Sequence, residues 1–459
     1  MNYKIIIIIF LTVFFSNKLL LANEKIDDYK SSPEGKISNI GNAKYNIAKS
    51  YMAVTADPRA TISAKRILEA GGTAMDAAIS AQMILNLVEP QSSGIGGGAF
   101  ILYYDAKTKN IYAWDGREKA PMNFSESIFL NPNGKKKGFI EAVSGGLAVG
   151  VPSLVPMLEK AHEIHGNMPW KSLFDDAIKL STEGFIVGNR LAKLISRAPH
   201  LKNQEIAKEY FNIDNGGLQE GDLKKNLKFA ESLKLIRDNG SKAMLHGKLA
   251  ANILSTVIEY KSNPGVMTKD DFDFVKPVLT KPICGNYRQW KICGMGPPSS
   301  GGITILQILG ILNNFDLTSE SPNDSEVWHL FLEASKLAYT DRGYYIADSD
   351  FINVPIEKML DEKYLKERSK LIKKTSIISN PQKGKFKNVK VSNLGKDSTS
   401  ERPSTTHLSI IDKYGNALAL TSSIEFMFGS GLMTSGFLLN NQMTDFSFYP
   451  KDKEGNLIA

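Results

Sequence analysis

The sequence predicts a layered α/β sandwich, because segments typical of β-hairpins alternate with segments typical of helices. Two pairs of apolar, β-prone segments are each joined by a short polar turn, at residues 99–104 with 111–114 and at 406–411 with 417–421. Segments with the helical period lie before the first hairpin and between the two. Elements that are apolar on one face pack in layers, so helices stacked against a sheet are the expected architecture.

The composition is that of an ordinary globular protein. Of the 459 residues, 42% are hydrophobic and 23% are charged, which excludes a disordered chain, a collagen-like repeat and a coiled coil. The formal net charge of +8 is spread over many acids and bases without an arginine-rich block, so a solvated mixed surface is favoured over nucleic-acid binding. The length allows about three domains or one large sandwich.

The first elements follow from the apolar period and from punctuation by glycine and proline. A short strand is expected at 51–55, and the helix predicted at 61–70 ends at Gly71. A second helix, at 73–88, carries Asp76 in its first turn, where a negative charge suits the helix dipole. Further helical segments are predicted at 150–165, at 170–183, over most of 199–265 and at 327–345.

One long stretch interrupts this pattern. Residues 367–403 are rich in Lys, Ser and Asn and contain few apolar side chains, and we expect an exposed, mobile loop there. The second hairpin begins directly after it, so this loop precedes the sharpest change of composition in the chain.

The N-terminus has the features of a secretory signal peptide. A cationic start is followed by an apolar run at residues 5–15 and by the small residue Ala22, which predicts a signal peptide at 1–22 and a linker at 23–50. The run is too short to span a bilayer, and no later segment is long and apolar enough to do so. We therefore expect an exported, periplasmic protein without a stable membrane span. The alternative is that the N-terminal segment stays uncleaved and acts as an anchor.

The only two cysteines, Cys284 and Cys293, flank a predicted hairpin with a tight turn near Arg288 and Gln289. In that register the two cysteines face each other, and in an exported protein they could form a disulfide. Two free buried thiols are the alternative.

Two familiar kinds of ligand site are disfavoured. Residues 94–99 have the letters of a dinucleotide fingerprint, but they lead into a strand instead of a helix, so we interpret them as a loop for close backbone approach. His162 and His165 share a helix face without a third ligand, and the other four histidines form no metal-binding pattern. No metal and no cofactor are predicted.

The remaining motifs occur in one order along the chain. They are the glycine-rich loop at 94–100, Asp115-Gly116-Arg117-Glu118-Lys119-Ala120-Pro121, Pro297-Pro298-Ser299-Ser300-Gly301-Gly302, Thr405-Thr406-His407, Phe428-Gly429-Ser430-Gly431 and Leu439-Asn440-Asn441-Gln442-Met443-Thr444-Asp445-Phe446. From about Met52 to about Phe446, the chain resembles the gamma-glutamyltransferase (gamma-glutamyl transpeptidase) family.

The resemblance implies an N-terminal nucleophile hydrolase with a four-layer αββα sandwich. It also implies a precursor that cuts itself between Ser404 and Thr405, so that 51–404 becomes the large-subunit part and Thr405 begins the small subunit at 405–459. A threonine hydroxyl needs a nearby base to act as a nucleophile. The freed α-amine of Thr405, with a reference pKa of about 7.7–8.0, can be that base, whereas the amide of the uncut chain cannot.

The implied substrates are small molecules, namely glutathione and other γ-glutamyl amides, with water or an amino acid as acceptor. Arg117 matches the family arginine that holds the substrate α-carboxylate, which suits a bidentate guanidinium; its alternative role is an ion pair, perhaps with Glu118. Asp445 and Glu425 match positions that hold the α-ammonium. Ser423 stands where the family usually has Thr near the nucleophile's amine. Asn441 orders the same pocket or makes only a strand-edge hydrogen bond.

The family continues beyond the position matched by Ala459. We therefore expect a sandwich that is incomplete at the C-terminus, a truncated small subunit and poor activity of this chain alone, because the family carries a carboxylate-binding Ser-Ser motif and a Gly-Gly oxyanion pair beyond that position.

Two other functions remain open at this point. A glutaryl or cephalosporin acylase of the same superfamily is opposed by the acids Glu425 and Asp445, since a glutaryl group has no ammonium. An uncleaved, inactive homologue that only binds its ligand is opposed by the presence of Thr405 and Arg117.

Overall fold

A computed structural model describes residues 47–317, 321, 323–386, 394–397 and 404–458. The predicted signal peptide at 1–22 and the linker up to residue 46 lie outside the described residues. Residues 47–50 have no regular secondary structure.

Helices and short strands account for about half of the described chain. The strands are β1 (Met52–Val54), β2 (Gly98–Asp105), β3 (Asn110–Gly116), β4 (Phe185–Ile186), β5 (Leu223–Lys224), β6 (Val278–Thr280), β7 (Ile283–Tyr287), β8 (Trp290–Gly294), β9 (Thr406–Ile411), β10 (Ala417–Ser423), β11 (Met433–Thr434) and β12 (Phe437–Leu438). The helices are α1 (Pro58–Glu69), α2 (Ala74–Val88), α3 (Phe139–Val143), α4 (Leu154–His165), α5 (Asp175–Glu183), α6 (Asn189–Ser196), α7 (Glu205–Tyr210), α8 (Leu227–Asn239), α9 (Lys242–Leu245), α10 (Lys248–Ile258), α11 (Gly301–Leu312), α12 (Ser325–Tyr345), α13 (Ile356–Met359) and α14 (Glu362–Ser369). Short 3₁₀ turns lie at Gly146–Ala148, Trp170–Phe174, Pro199–Asn203, Ile213–Asn215, Lys269–Phe274 and Gln442–Asp445.

The centre of the fold is an antiparallel, six-stranded sheet with the order β1-β9-β10-β2-β3-β6. Strand β9 alternates buried and exposed side chains, with Leu408 and Ile410 facing the core. This period of two sends the even-numbered side chains of β9 toward helix α2 and the odd-numbered ones to the opposite face. Thr405, the residue directly before β9, therefore lies on the face of the sheet away from helix α2.

The α/β class is confirmed, and both predicted hairpins pair as expected: β2 with β3, and β9 with β10. In the part of the chain that the structure describes, the other strands form only two-stranded pairs, so a second large sheet of a four-layer sandwich is not among them. Helices α11, α12 and α14 pack on one another around a separate apolar cluster that includes Ile311, Leu337 and Leu365.

Four predicted elements need correction. The helix predicted at 61–70 begins earlier, at Pro58, because the Asp57 side chain caps it by accepting from Arg59 N (2.9 Å). The segment predicted at 170–183 begins as a 3₁₀ turn and becomes α-helical only at Asp175.

The helix predicted at 150–165 begins at Leu154, since 150–153 are held by neighbouring loops instead. Val151 pairs with Lys119 as an isolated bridge, and Gly150 N donates to Asn440 Oδ1 (2.9 Å). The preceding residues therefore belong to the loops around the end of the sheet.

The fourth correction concerns the predicted loop at 367–403. Helix α14 continues to Ser369, Ile372 is buried, and Gly384 N donates to the buried Asp341 carboxylate (2.8 Å). Residues 387–393 and 398–403 lie outside the described residues. The described part is thus mostly exposed but anchored to the helical cluster.

The glycine-rich loop at 94–98 allows the close backbone approach that its sequence predicts. A Cβ atom on Gly96 would lie 2.0 Å from the Leu438 carbonyl oxygen, and one on Gly97 would lie 2.2 Å from the Ser423 carbonyl oxygen. Any larger residue would force these backbones apart.

A single amide side chain joins three loops at this end of the sheet. The buried Asn440 donates from Nδ2 to the carbonyl oxygens of Gly96 and Gly150 (both 2.8 Å), and its Oδ1 accepts from Gly150 N and Gln442 N. All four hydrogen bonds are inaccessible to water, so water cannot replace them if the side chain is removed.

We expect Asn440→Ala to lower the free energy of unfolding by about 3 kcal/mol or more, because it leaves several buried backbone groups without partners. Urea unfolding of the variant measures this loss. Asn133→Ala, on an exposed turn, is the matched control and should change stability by less than about 0.5 kcal/mol. Equal stability of the two variants would contradict this role.

None of the helices in the described part of the chain combines the length and the hydropathy that crossing a bilayer requires.

Candidate active site

Thr405 and Ser423 meet at one end of the central sheet. Thr405 directly precedes β9, and Ser423 is the last residue of the adjacent antiparallel strand β10. Their hydroxyl oxygens lie 3.2 Å apart. The pairing of Ser423 with Gly98 on β2 brings the start of β2 and the end of β3 to the same place, so Arg117 follows at this end as well.

Two hydroxyl groups converge on the carbonyl oxygen of Ser404. Thr405 Oγ1 donates to it at 2.7 Å, and Ser423 Oγ donates to it at 3.1 Å. The buried Ser404 hydroxyl in turn donates to the carbonyl oxygen of Gln91 (2.8 Å), within a completely buried loop. The peptide bond between Ser404 and Thr405 is thus held on both sides, and its carbonyl group is polarised by hydrogen bonds.

The turn after β10 places an acid beside these hydroxyls. Glu425 has a positive φ of 74°, which is unusual for a residue with a side chain. Its amide donates to Ser423 Oγ (2.8 Å), and the next amide, of Phe426, donates to Asn441 Oδ1 (2.9 Å). Side-chain acceptors on either side therefore hold the strained residue in position.

Asn441 also contacts the Glu425 carboxylate directly. Its Nδ2 donates to Glu425 Oε2 and to Thr444 Oγ1. Of the two roles left open by the sequence, the structure places Asn441 in the pocket, where it orients both the backbone and the side chain of Glu425. The Asn441 side chain is completely buried.

Arg117 and Asp445 form an ion pair at the edge of this pocket. Arg117 Nη2 contacts Asp445 Oδ2, and Gln442 Nε2 donates to the same oxygen. The side chains are 29% and 44% exposed, respectively. The sequence left an ion pair of Arg117 with Glu118 open, but the structure pairs it with Asp445.

Two carboxyl groups beside this pair are harder to ionise than usual. Burial, with the nearby charge of Asp445, raises the pKa of Glu425 to about 8. Burial raises the pKa of Glu118 to about 8, which the charge of Arg117 only partly offsets. Near neutral pH both carboxyls are therefore largely protonated, and Asp445 is the carboxylate that faces Arg117.

Sequence reasoning missed several residues of this pocket. Gln442 and Thr444 lie within a quoted motif, so their neighbours could have indicated them. Glu118 is 7% exposed, and its Oε1 has no hydrogen-bond partner among the described residues. Gln91 acts through its backbone carbonyl, for which no sequence pattern exists.

The predicted cysteine hairpin lies elsewhere. Strands β7 and β8 pair in the predicted register, with Cys284 directly opposite Cys293, and the two sulfur atoms are bonded at 2.11 Å. The hairpin packs on α11.

Within the described ranges, no group of three or more His, Cys, Asp or Glu side chains is arranged to hold a metal ion.

Comparison with known proteins identifies the family of this chain. The gamma-glutamyltranspeptidase family matches residues 60–458. The chain belongs to the gamma-glutamyltranspeptidase family. This is a family of enzymes, and its members occur in several bacteria.

The relatives cover most of the chain. The glutathione hydrolase proenzyme of Bacillus subtilis (strain 168) is 37% identical over 414 residues, which are 88% of this chain and 70% of that protein. The glutathione hydrolase proenzyme of Escherichia coli (strain K12) is 36% identical over 411 residues, with 88% and 68% covered.

Solved structures agree with the fold. The crystal structure of Helicobacter pylori gamma-glutamyltranspeptidase matches with a TM-score of 0.72 and 32% identity, covering 76% of this chain and 100% of that one. A cephalosporin acylase from Bacillus halodurans matches with a TM-score of 0.77, 92% of this chain and 76% of that one, at 24% identity. At that identity the acylase supports the shared N-terminal nucleophile hydrolase fold alone.

Proposed function

We propose that this chain is a γ-glutamyl hydrolase and transferase that acts on glutathione and other γ-glutamyl amides. It does so through a threonine acyl-enzyme, formed after self-cleavage between Ser404 and Thr405. The observation that carries the proposal is the convergence of Thr405 Oγ1 and Ser423 Oγ on the Ser404 carbonyl oxygen. An arginine and two acids lie at the same end of the sheet. The name proenzyme, borne by the bacterial relatives, agrees with a precursor that is cut.

In the self-cleavage step, Thr405 Oγ attacks the carbonyl carbon of Ser404. The C–N bond between the two residues breaks, and the nitrogen takes up the proton lost by the Thr405 hydroxyl and becomes the α-amine of Thr405. An ester then links Ser404 to the threonine oxygen. Water then hydrolyses the ester. Because Ser423 donates a hydrogen bond to the carbonyl oxygen at 3.1 Å, it can stabilise the negative charge that develops there.

In the catalytic cycle, the freed α-amine takes the proton of Thr405 Oγ, which attacks the γ-carbonyl of the substrate. The leaving amine accepts that proton as the acyl-enzyme forms, and water or an amino acid then resolves it. Arg117 would bind the α-carboxylate, and Asp445 with Glu425 would bind the α-ammonium, while Asn441 holds Glu425 in place.

The subunits and the cellular location belong to the same proposal. Residues 51–404 would form the large-subunit part and Thr405 would begin the small subunit. Export to the periplasm is supported by the signal-peptide pattern at 1–22 and by the bond between Cys284 and Cys293, since disulfides persist in oxidising compartments.

The test combines the mass of the purified protein with two substrates. We expect two polypeptides, one beginning at Thr405, and faster hydrolysis of a γ-glutamyl anilide than of a glutaryl anilide. An uncut chain that binds glutathione without turnover would instead support the non-catalytic homologue. Faster hydrolysis of the glutaryl anilide would support an acylase.

The raised pKa of Glu425 leads to a pH-dependent affinity. Glu425 is largely uncharged below its pKa of about 8 and ionises above it, so the attraction for a ligand ammonium grows as the pH rises from 6 to 8. We expect L-glutamate to bind about tenfold more tightly at pH 8 than at pH 6. Titration calorimetry of the protein at each pH measures this directly.

The variant Glu425→Gln should lose the part of the pH dependence that Glu425 causes, because its amide cannot ionise; any dependence that remains reports the second carboxyl of raised pKa in the pocket, Glu118. Glu454→Gln, on an exposed turn near the end of the described chain, is the matched control and should retain the wild-type profile. A flat profile in the wild type would show that Glu425 does not face the ammonium.

A further inference from the structure

The two charged side chains that the proposed function assigns to opposite ends of the substrate head group are bonded to each other. Arg117 Nη2 contacts Asp445 Oδ2, and both side chains are only partly exposed. No substrate is needed to satisfy either charge, because each residue satisfies the other.

Each partner is also held in place independently of this bond. The backbone amide of Arg117 donates to Asp115 Oδ1 (2.8 Å), and its guanidinium lies 5.8 Å from the centre of the Phe100 ring. Asp445 ends the Gln442–Asp445 turn, and Gln442 donates to its carboxylate. The two groups can therefore separate or exchange partners without loss of the fold around them.

We propose that the Arg117–Asp445 ion pair occupies the head-group site as an internal substitute for the substrate, so that a ligand enters by exchanging partners. This inference rests on the proposed function and adds a source of specificity to it. A zwitterion gives its carboxylate to Arg117 and its ammonium to Asp445, and every charge keeps a partner.

A ligand with a carboxylate but no ammonium faces a different balance. It must take Arg117 from Asp445, which leaves the partly buried Asp445 carboxylate without a cation. A glutaryl group therefore binds less favourably, because it must break the ion pair without offering Asp445 a new cation. The contact of Asp445 with the substrate ammonium further favours γ-glutamyl over glutaryl groups.

The ammonium contact and the ion-pair exchange predict different results for the binding of glutarate, which has no ammonium, to Asp445→Asn. If Asp445 only contacts the ammonium, the variant binds glutarate as the wild type does. If the ion pair must break, the variant releases Arg117 and binds glutarate more tightly. We expect about fivefold tighter binding of glutarate and at least fivefold weaker binding of L-glutamate, measured by calorimetry at pH 7 and about 0.15 M salt.

Removing any negative charge near the site also strengthens the binding of an anion such as glutarate. The control variant therefore removes a nearby negative charge but leaves the Arg117–Asp445 ion pair intact. Asp348→Asn serves, because the charge of Asp348 reaches Asp115 beside Arg117 but makes no ion pair with Arg117 among the described residues. It should change glutarate binding by less than about twofold. Asp445→Ala is the second variant, and melting temperatures verify that each protein is folded.

The outcomes separate the inference from the function on which it rests. If L-glutamate binds the wild type and is weakened in Asp445→Asn, while glutarate affinity matches that of Asp348→Asn, the exchange is wrong and the head-group site stands. If the wild type binds neither L-glutamate nor glutarate, the head-group site and the exchange are both wrong.

Discussion

Thr405→Ala is expected to leave the chain uncut between residues 404 and 405 and to lower γ-glutamyl hydrolysis by roughly 10⁴-fold or more. One atom explains both losses. Thr405 Oγ1 lies 2.7 Å from the oxygen of the peptide bond to be cut, and in the proposed cycle it is also the nucleophile that attacks the substrate. Intact mass measures the first loss, and release of the amine from a γ-glutamyl anilide measures the second.

Two further variants test whether the hydroxyl at this position is responsible. Thr405→Ser keeps the oxygen and should still be cut, with a reduced rate of hydrolysis. Thr406→Val changes the adjacent threonine, whose buried Oγ1 points to the helical side of the sheet and has no hydrogen-bond partner in the described chain. It should be cut and active like the wild type. Cleavage of Thr405→Ala at the same bond would refute the mechanism.

Arg117→Ala is expected to lower kcat/KM for a γ-glutamyl anilide by about 10²-fold or more, mainly through KM. A guanidinium offers two parallel, charge-assisted hydrogen bonds to a carboxylate, each worth about 1.5–3 kcal/mol. Self-cleavage should be unaffected, because the described contacts of Arg117 are with Asp115, Phe100 and Asp445 and none of them is with the 404–405 peptide.

Arg117→Lys distinguishes geometry from charge. Lysine keeps the positive charge but lacks the planar fork, so most of the loss should remain. Arg66→Ala is the matched control, since it removes an exposed arginine that pairs with Asp176 on the surface. An unchanged KM in Arg117→Ala would show that another group holds the substrate carboxylate.

The local elements of this fold could be predicted well because short-range chemistry determines them. The period of two at 406–411 and 417–421, with a polar turn between, predicted the hairpin that places Thr405 and Ser423 side by side. Helix α2 begins after Thr73, with Asp76 in its first turn as predicted. The start of the 150–165 segment was wrong, because Gly150 and Val151 bond to distant residues that no local pattern reveals.

The sequence motifs indicated candidate residues for the site but not how those residues are connected. Thr405, Ser423, Arg117, Glu425 and Asp445 were indicated by motifs that resemble one family. The partners of Arg117 were not, since the alternative was its sequence neighbour Glu118 and the observed partner, Asp445, is far away along the chain. Asn441 had two equal interpretations until its bonds to Phe426 and Glu425 placed it in the pocket.

The amino-acid sequence by itself determined the helices and hairpins, the register of the two cysteines and the residue types available for chemistry, because these depend on periodicity and on side-chain identity. Only the tertiary structure decided which charges meet and which carboxyls resist ionisation. The raised pKa values of Glu425 and Glu118 arise from burial and from charges that the fold brings together. Such effects depend on distances in space, and distance in space is the quantity that a linear sequence leaves open.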